Sequence, residues 1–566
     1  RLDQGGLYAA RMVRQRGAGD LVVGAQGMRA EHVVLTADSG RVLVTGSIDA
    51  SGQNGGRVTL NGGNGIQVDG RIDANALVPA GNGGLVELLA ASGSVRVGSA
   101  ATIDVAAGSA AGQRPGRVNV RATREAFLTV TDADAGNDEV SLAGDIVGAN
   151  RISLEGYAAY DDADGLVVAG LIGANNVAAN ESNPLYADAK QFMSAESSIL
   201  AGLGLAGDER VLLLPGIEIQ TAGDLALGPA TGSNQPAAVN WDLSGWRFGA
   251  DGRTPGVLTL RTAGDLVFNG SLSDGFVGVT GNANSPALRL DVAAPADSWS
   301  YRLVAGADLA AADPLAVDSA ASGDVVIAAG NPSTAASTVS TFRMVRTGNG
   351  FIDVAASGDF ILGNRASVLY TAGLASSTGA LLGTGAVGLG GRAYPVDGGD
   401  IRLRVAGDIV GADAQGPATD FTRQLVTDWL WRVGKSPADN PNGFPTAWTI
   451  NFARFEQNVA ALAGGDVTIE AGGDIVNFSA SIPSVGIPSA TRSSASTLTV
   501  EGGGDLTIRA GGDIRGGSFY VANGVGRLEA GGDIGSADNP LAQGAVFPVL
   551  ALADGTWELL ARGSAG

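Results

Sequence analysis

Cysteine is absent from the 566 residues, and histidine occurs once, at His32. The first absence excludes disulfides, thiol catalysis and Cys-ligated metals. The second leaves a Ser-His-Asp triad dependent on His32 alone, which sits in an alternating run with Val33 and Leu35 and reads as a strand residue with a structural role. Lysine is nearly missing too: Lys190 and Lys435 are the two, and the other 34 of 36 basic residues are Arg, against 57 acidic ones. A net charge of -21 argues against nucleic acid as a partner, because phosphate binding is carried by clustered Lys and Arg. Aromatics make up only 5%. Long apolar runs are lacking as well; the longest uncharged stretch, 366–391, holds seven Gly and reads as turns rather than a membrane span.

Glycine is abundant instead, with 88 copies, while the apolar fraction of 45% suffices for a large core. That balance disfavours helices and points to small and β-branched residues crossed by many tight turns. One unit recurs: a small residue, Gly, Asp, then an apolar residue, with Asp at 20, 145, 224, 265, 324, 359, 400, 408, 466, 474, 505, 513 and 533. Gaps of 79, 41, 59, 39 and 20 lie near multiples of 20, which predicts a stacked repeat of about 20 residues; the 35 between Asp324 and Asp359 does not fit. In GGDVTIEAGGDI (464–475), Val467 and Ile469 alternate with Thr468 and Glu470, so each unit predicts a five-residue strand with one buried face. Gly is expected to supply positive φ at the corner. The carboxylates of Asp400, Asp408, Asp466, Asp474, Asp505, Asp513 and Asp533 are expected to accept hydrogen bonds from their own turns.

These features predict an all-β fold, a right-handed parallel β-helix. At about 20 residues per coil it would hold about 26 coils and run on the order of 120 Å. Residues 1–140 carry looser repeats, GSIDASG (46–52), GRIDANA (70–76) and ATIDVAAG (101–108), which share an Ile-Asp corner. Residues 141–413 carry Gly-Asp repeats with loop insertions, and 461–566 carry GGD repeats. Between them, 414–460 is an aromatic, partly helical excursion: Thr419 or Asp420 caps a predicted helix with Phe421, Leu425, Val426, Trp429 and Val433 on one face. Starting at Arg1 without an initiator Met, the chain reads as an internal segment of a longer fibre.

Chemical motifs are sparse. No GxSxG occurs, and the two GxGxxG matches, 202–207 and 383–388, lie outside any βαβ unit. GGNGIQVDG (62–70) departs from a calcium nonapeptide at Gln67. Asp161 and Asp162 form a carboxylate pair without the other elements of a polysaccharide-cleaving site. No catalytic residue, metal or cofactor is therefore assigned. The candidate binding residues are the aromatics of the excursion, Trp429, Trp431, Phe444, Trp448 and Phe452, because Trp faces suit sugar rings and protein hot spots.

The GGD repeats, with WDLSGWRFG (241–249), SWSYRLVAGADL (298–309), ASVLYTAG (366–373), NFARFEQNVAALAGGDV (451–467) and GGSFYVANGVGRLEAGGDI (516–534), resemble filamentous-haemagglutinin-family exoproteins of Gram-negative bacteria. The resemblance covers roughly residue 140 onward by motif. It implies two-partner secretion, in which an outer-membrane β-barrel transporter passes the unfolded chain to the cell surface, where it coils. It also implies adhesion to a host or bacterial cell-surface glycan or protein. A passive stalk presenting a distal toxin or receptor-binding tip, as in contact-dependent inhibition, is the second reading, and a carbohydrate-active enzyme the third.

Overall fold

The computed structural model of the chain describes residues 9–131, 139–161, 181–228, 240–276, 297–331, 341–375, 394–411, 426–433, 447–488, 498–539 and 544–565. Alternating apolar residues put one side of each strand inside and the other outside, and successive strands stack in parallel into three-faced coils. The fold is an all-β parallel β-helix.

In the first arm, face one is built from Ala10–Gln15, His32–Ala37, Arg57–Gly62, Leu85–Ala90 and Gly116–Thr123. Face two runs from Leu21–Val23 to Ser141–Leu142, and face three from Met28–Arg29 to Asp145–Val147. The Ile-Asp corners stack as expected: Ile48, Ile72, Ile103 and Ile146 occupy one register column on face three. Helices α1 (Arg124–Leu128), α2 (Pro184–Met193) and α3 (Glu196–Gly202) extend this core with buried Phe127, Leu185, Phe192 and Ile199. The Thr123 hydroxyl accepts the Ala126 N–H and Asn183 accepts from Leu185 and Tyr186, so α1 and α2 each start on a capping side chain.

Two long strands, Ala149–Asp161 and Val211–Thr221, join the arms. Residues 151–157 pair back onto 117–123, while 216–221 pair forward onto Val257–Thr262. The second arm then repeats three faces. Face one continues through Ser300–Ala305, Ile352–Ala356, Ile401–Val405, Val467–Ala471 and Leu506–Ala510 to the C-terminal halves of Ser518–Ala530 and Val549–Ala561. Face two is an eight-stranded ladder from Leu225–Leu227 to Ile534–Gly535. Face three runs from Trp241–Asp242 through Arg343–Thr347, Ser367–Thr371 and Val459–Ala461.

The coil count departs from the expectation. Face one has fifteen stacked strands among the described residues, giving about 70 Å of ladder rather than 26 coils and 120 Å. Each gap between successive Gly-Asp corners of face two is one coil, whatever its length: Leu225 pairs with Leu266, 41 residues on, and Leu266 with Val325, 59 on. The 20-residue step is the bare coil, as between Ile514 and Ile534. Longer coils add residues at a corner, because only the strands must stack and closing a longer loop costs little more free energy.

Candidate functional site

The Asp corners form two ladders. On one, the Asp265 N–H donates to Asp224 Oδ1 at 2.9 Å, and the same bond recurs up the arm through Asp324, Asp359, Asp408, Asp474, Asp513 and Asp533, at 2.7–2.9 Å. On the other, Asp466 donates to Asp400 and Asp505 to Asp466. The carboxylates thus bond the coil above, rather than their own turn. The role of Gly needs the same correction. Gly264, Gly358, Gly407, Gly473, Gly512 and Gly532 are not left-handed; a Cβ on any of them would fall 2.0–2.1 Å from the carboxylate of the coil below. Positive φ occurs at Gly464, Gly465, Gly503 and Gly504, on the second ladder.

The aromatic excursion covers the outer side of face three. Its helix is one turn, α4 (Val426–Trp429), and the chain then enters Leu430–Val433, which pairs antiparallel with Ala447–Ile450. The predicted helical stripe to Val433 therefore ends at Trp429; Thr419, Asp420, Phe421 and Leu425 lie outside the described residues. Ser484–Pro488 and Leu498–Gly502 complete a four-stranded sheet. Trp429 is fully buried, its indole N–H donates to Gln457 Oε1 at 3.1 Å, and Phe455 meets it edge-on at 5.2 Å. Buried Phe452 packs on Tyr370 and Phe276. Trp448 is half-buried, donates to Ser484 Oγ at 3.3 Å, and lies against Gly486. Trp431 pairs with Thr449 through its backbone, and Phe444 lies outside the described residues.

Of the candidate residues, Trp429 and Phe452 turn inward into a second core and Trp448 packs at its edge. The sequence carried a signal for this cover that alternation alone misses. RMVRT (343–347) and SVLYT (367–371) are buried along nearly their whole length, which marks strands covered on both sides.

A charged cleft between the arms escaped the sequence reading. The outer side of face one in the first arm packs against the outer side of face one in the second. Arg117 pairs with Asp400, Arg114 reaches both Asp466 oxygens at 2.6 and 2.7 Å, and Arg302 grips both Glu155 oxygens at 2.8 and 3.0 Å. Near the junction Arg121 bridges Glu155 and Glu218, and Arg261 also reaches Glu218. All five of Arg121, Glu155, Glu218, Arg261 and Arg302 are buried. Glu87 accepts from Arg57 and from the Thr59 hydroxyl. Burial pushes its carboxyl up, but Arg57, Arg402 and Arg302 outweigh that and hold it down at about 2. These residues are far apart in sequence, so no local pattern announces them. His32 stands exposed at an outward position of its strand.

Set beside known proteins, the chain matches no family model, no curated protein and no solved structure.

Proposed function

We propose that this chain is a segment of a secreted, surface-exposed fibre of the filamentous haemagglutinin type, acting in adhesion to a glycan or protein of host or bacterial cells. One observation carries the reading: within each arm the parallel coils stack in register while their extra length leaves at the corners, which is the build of a stacked shaft carrying variable loops. The Asp ladder supports export through an outer-membrane β-barrel transporter as an unfolded chain. Each coil offers its carboxylate to the amide of the next, so coiling at the surface proceeds one coil at a time on a template. The absence of Cys suits that route, since no disulfide locks the chain before export.

Burial of Trp429 and Phe452 favours a second reading, the passive stalk whose activity lies on another part of the fibre. Titrating labelled chain onto host cells and bacterial cells separates the two. Saturable binding, competed by unlabelled chain, is the adhesive outcome. Absence of saturable binding to either cell type overturns adhesion by this segment and leaves the stalk.

A further inference from the structure

On face two of the second arm the residue after the buried one points outward, as Val267 does between Leu266 and Phe268. The outward residues in register are Ala226, Val267, Val326, Ile361, Val410 and Val476, an apolar row that runs up the arm. Ala226 and Val410 are exposed and the other four half-buried. Outward positions are filled differently elsewhere. On face one of the same arm they include Thr468, Glu470, Thr507 and Arg509, and on face two of the first arm the row passes from Val22 and Leu43 to Gln67, Arg96 and Ser141. An unbroken apolar row facing water marks an interaction surface, where single scattered residues do not.

Beside the row runs the first Asp ladder. Asp265, Asp324, Asp359 and Asp408 stand two residues before Val267, Val326, Ile361 and Val410, which along an extended chain puts carboxylate and apolar side chain on the same side, roughly 7 Å apart. Each gives one oxygen to the amide of the next coil. Among the described residues none of the four is in an ion pair, whereas farther along Asp474 is paired with Arg515. Burial and the like charges of Asp359 and Asp265 raise the Asp324 carboxyl above its ordinary value, against the bond from the Asp359 amide, so this row of negative charge lacks a cation of its own.

We propose that this side of face two is a docking surface for a cationic amphipathic helix of a partner protein, with the helix's apolar row on the Val and Ile side chains and its Lys or Arg row on the carboxylates. Charge complementarity selects the occupant: the apolar row alone accepts any apolar surface, whereas the carboxylates beside it favour cations and oppose a second copy laid face to face. The dimensions agree. From Ala226 to Val476 the row spans about 24 Å, which a helix of about 16 residues covers, and helical turns recur about every 5.4 Å against about 4.8 Å for the coils. The surface is independent of the adhesion reading: a chain that binds cells but ignores such a helix overturns the surface alone.

Fluorescence anisotropy of a labelled peptide of Leu and Lys, about 16 residues long with its Leu on one helical face, titrated with the full chain at near-physiological salt, tests it. The expected result is saturable binding of this peptide, about tenfold weaker binding of the same composition with Leu scattered around the helix, and none of a Leu and Glu counterpart. Val326→Ser with Ile361→Ser removes apolar contact and weakens binding about tenfold. Asp324→Asn with Asp359→Asn keeps the oxygen that accepts the next amide, removes the charge, and weakens binding severalfold with a shallower salt dependence. Arg404→Ala, exposed on face one, binds as the parent does. No binding of the amphipathic peptide, equal binding of the scattered one, or unchanged binding in either folded double variant overturns the proposal. So does a dimer of the chain that Val326→Ser with Ile361→Ser abolishes and the peptide does not displace, which gives the surface to a second copy.

Discussion

At six Gly-Asp corners of face two, those of Gly264, Gly358, Gly407, Gly473, Gly512 and Gly532, a carboxylate oxygen of one coil occupies the place where the next coil would carry a Cβ. That is why the pair travels together: Asp supplies the acceptor, and Gly before the next Asp makes room for it. The pairing was legible in the sequence, but its reason was not, because a single chain lists a turn's neighbours and not the coil beneath. A discriminating pair of substitutions follows. Gly473→Ala places a Cβ 2.0 Å from Asp408 Oδ1, whereas at Gly223, which starts the ladder with no carboxylate below, nothing lies within 4 Å. Gly473→Ala is expected to cost about 1–3 kcal/mol, as other overpacked sites do, and Gly223→Ala to stay within about 0.5 kcal/mol of the parent. Thermal or urea unfolding reads the difference, and equal effects at the two sites would remove the steric account of the motif.

Among the elements, strands were read well and their covers poorly. The five-residue strands Val467–Ala471 and Leu506–Ala510 follow the alternation exposed in their sequences, with Val467, Ile469, Leu506 and Ile508 inside. The helical reading of 421–433 failed at its C-terminal side because Leu430–Val433 gains backbone partners in Ala447–Ile450, and tertiary pairing overrides a short helical stripe. The opposed charged faces were invisible for a related reason: an outward Arg or Glu on a strand reads as solvated until a second sheet covers it.

One consequence concerns pH. Glu87 has an ordinary value of 4.5 and is held at about 2 when folded. A depressed carboxyl contributes stability that is fully present above about 4.5 and is lost as pH falls through the folded value. Glu87→Gln should therefore be less stable than the parent at pH 7, by roughly 3 kcal/mol for a shift of this size, with the deficit shrinking as pH drops from 4.5 towards 2. Urea midpoints at pH 7 and pH 3 measure it. A deficit that stays constant across that range would mean that Glu87 is not held as a carboxylate by Arg57 and its neighbours.

For the whole molecule, periodicity identified the architecture and misjudged its count. Spacings of 41 and 59 look like two and three coils of 20, yet each is one coil, since a corner accepts an insertion of any length while the strands keep register. The excursion at 414–460, which stretches the step from Asp400 to Asp466 to 66, was recognisable because its aromatics set it apart. Shorter Gly- and Ala-rich insertions share the composition of the coils and merge with them. The fold class thus followed from alternation and repetition. Coil number, the fold of one arm on the other and the cleft between them depend on which strands meet, information carried by contacts far apart in the chain.

That one-coil-per-corner arrangement is the central claim, and the absence of native Cys makes it directly measurable. Ala226, Val267 and Val326 are consecutive register partners on the outer side of face two. Neighbouring strands stand about 4.8 Å apart, within disulfide reach, and next-nearest strands about 9.6 Å apart, beyond it. Double variants Ala226→Cys with Val267→Cys, and Val267→Cys with Val326→Cys, should cross-link under mild oxidation, while Ala226→Cys with Val326→Cys should not. Failure of both neighbouring pairs to close in a folded, β-rich chain would contradict the account and return the repeat to 20-residue coils.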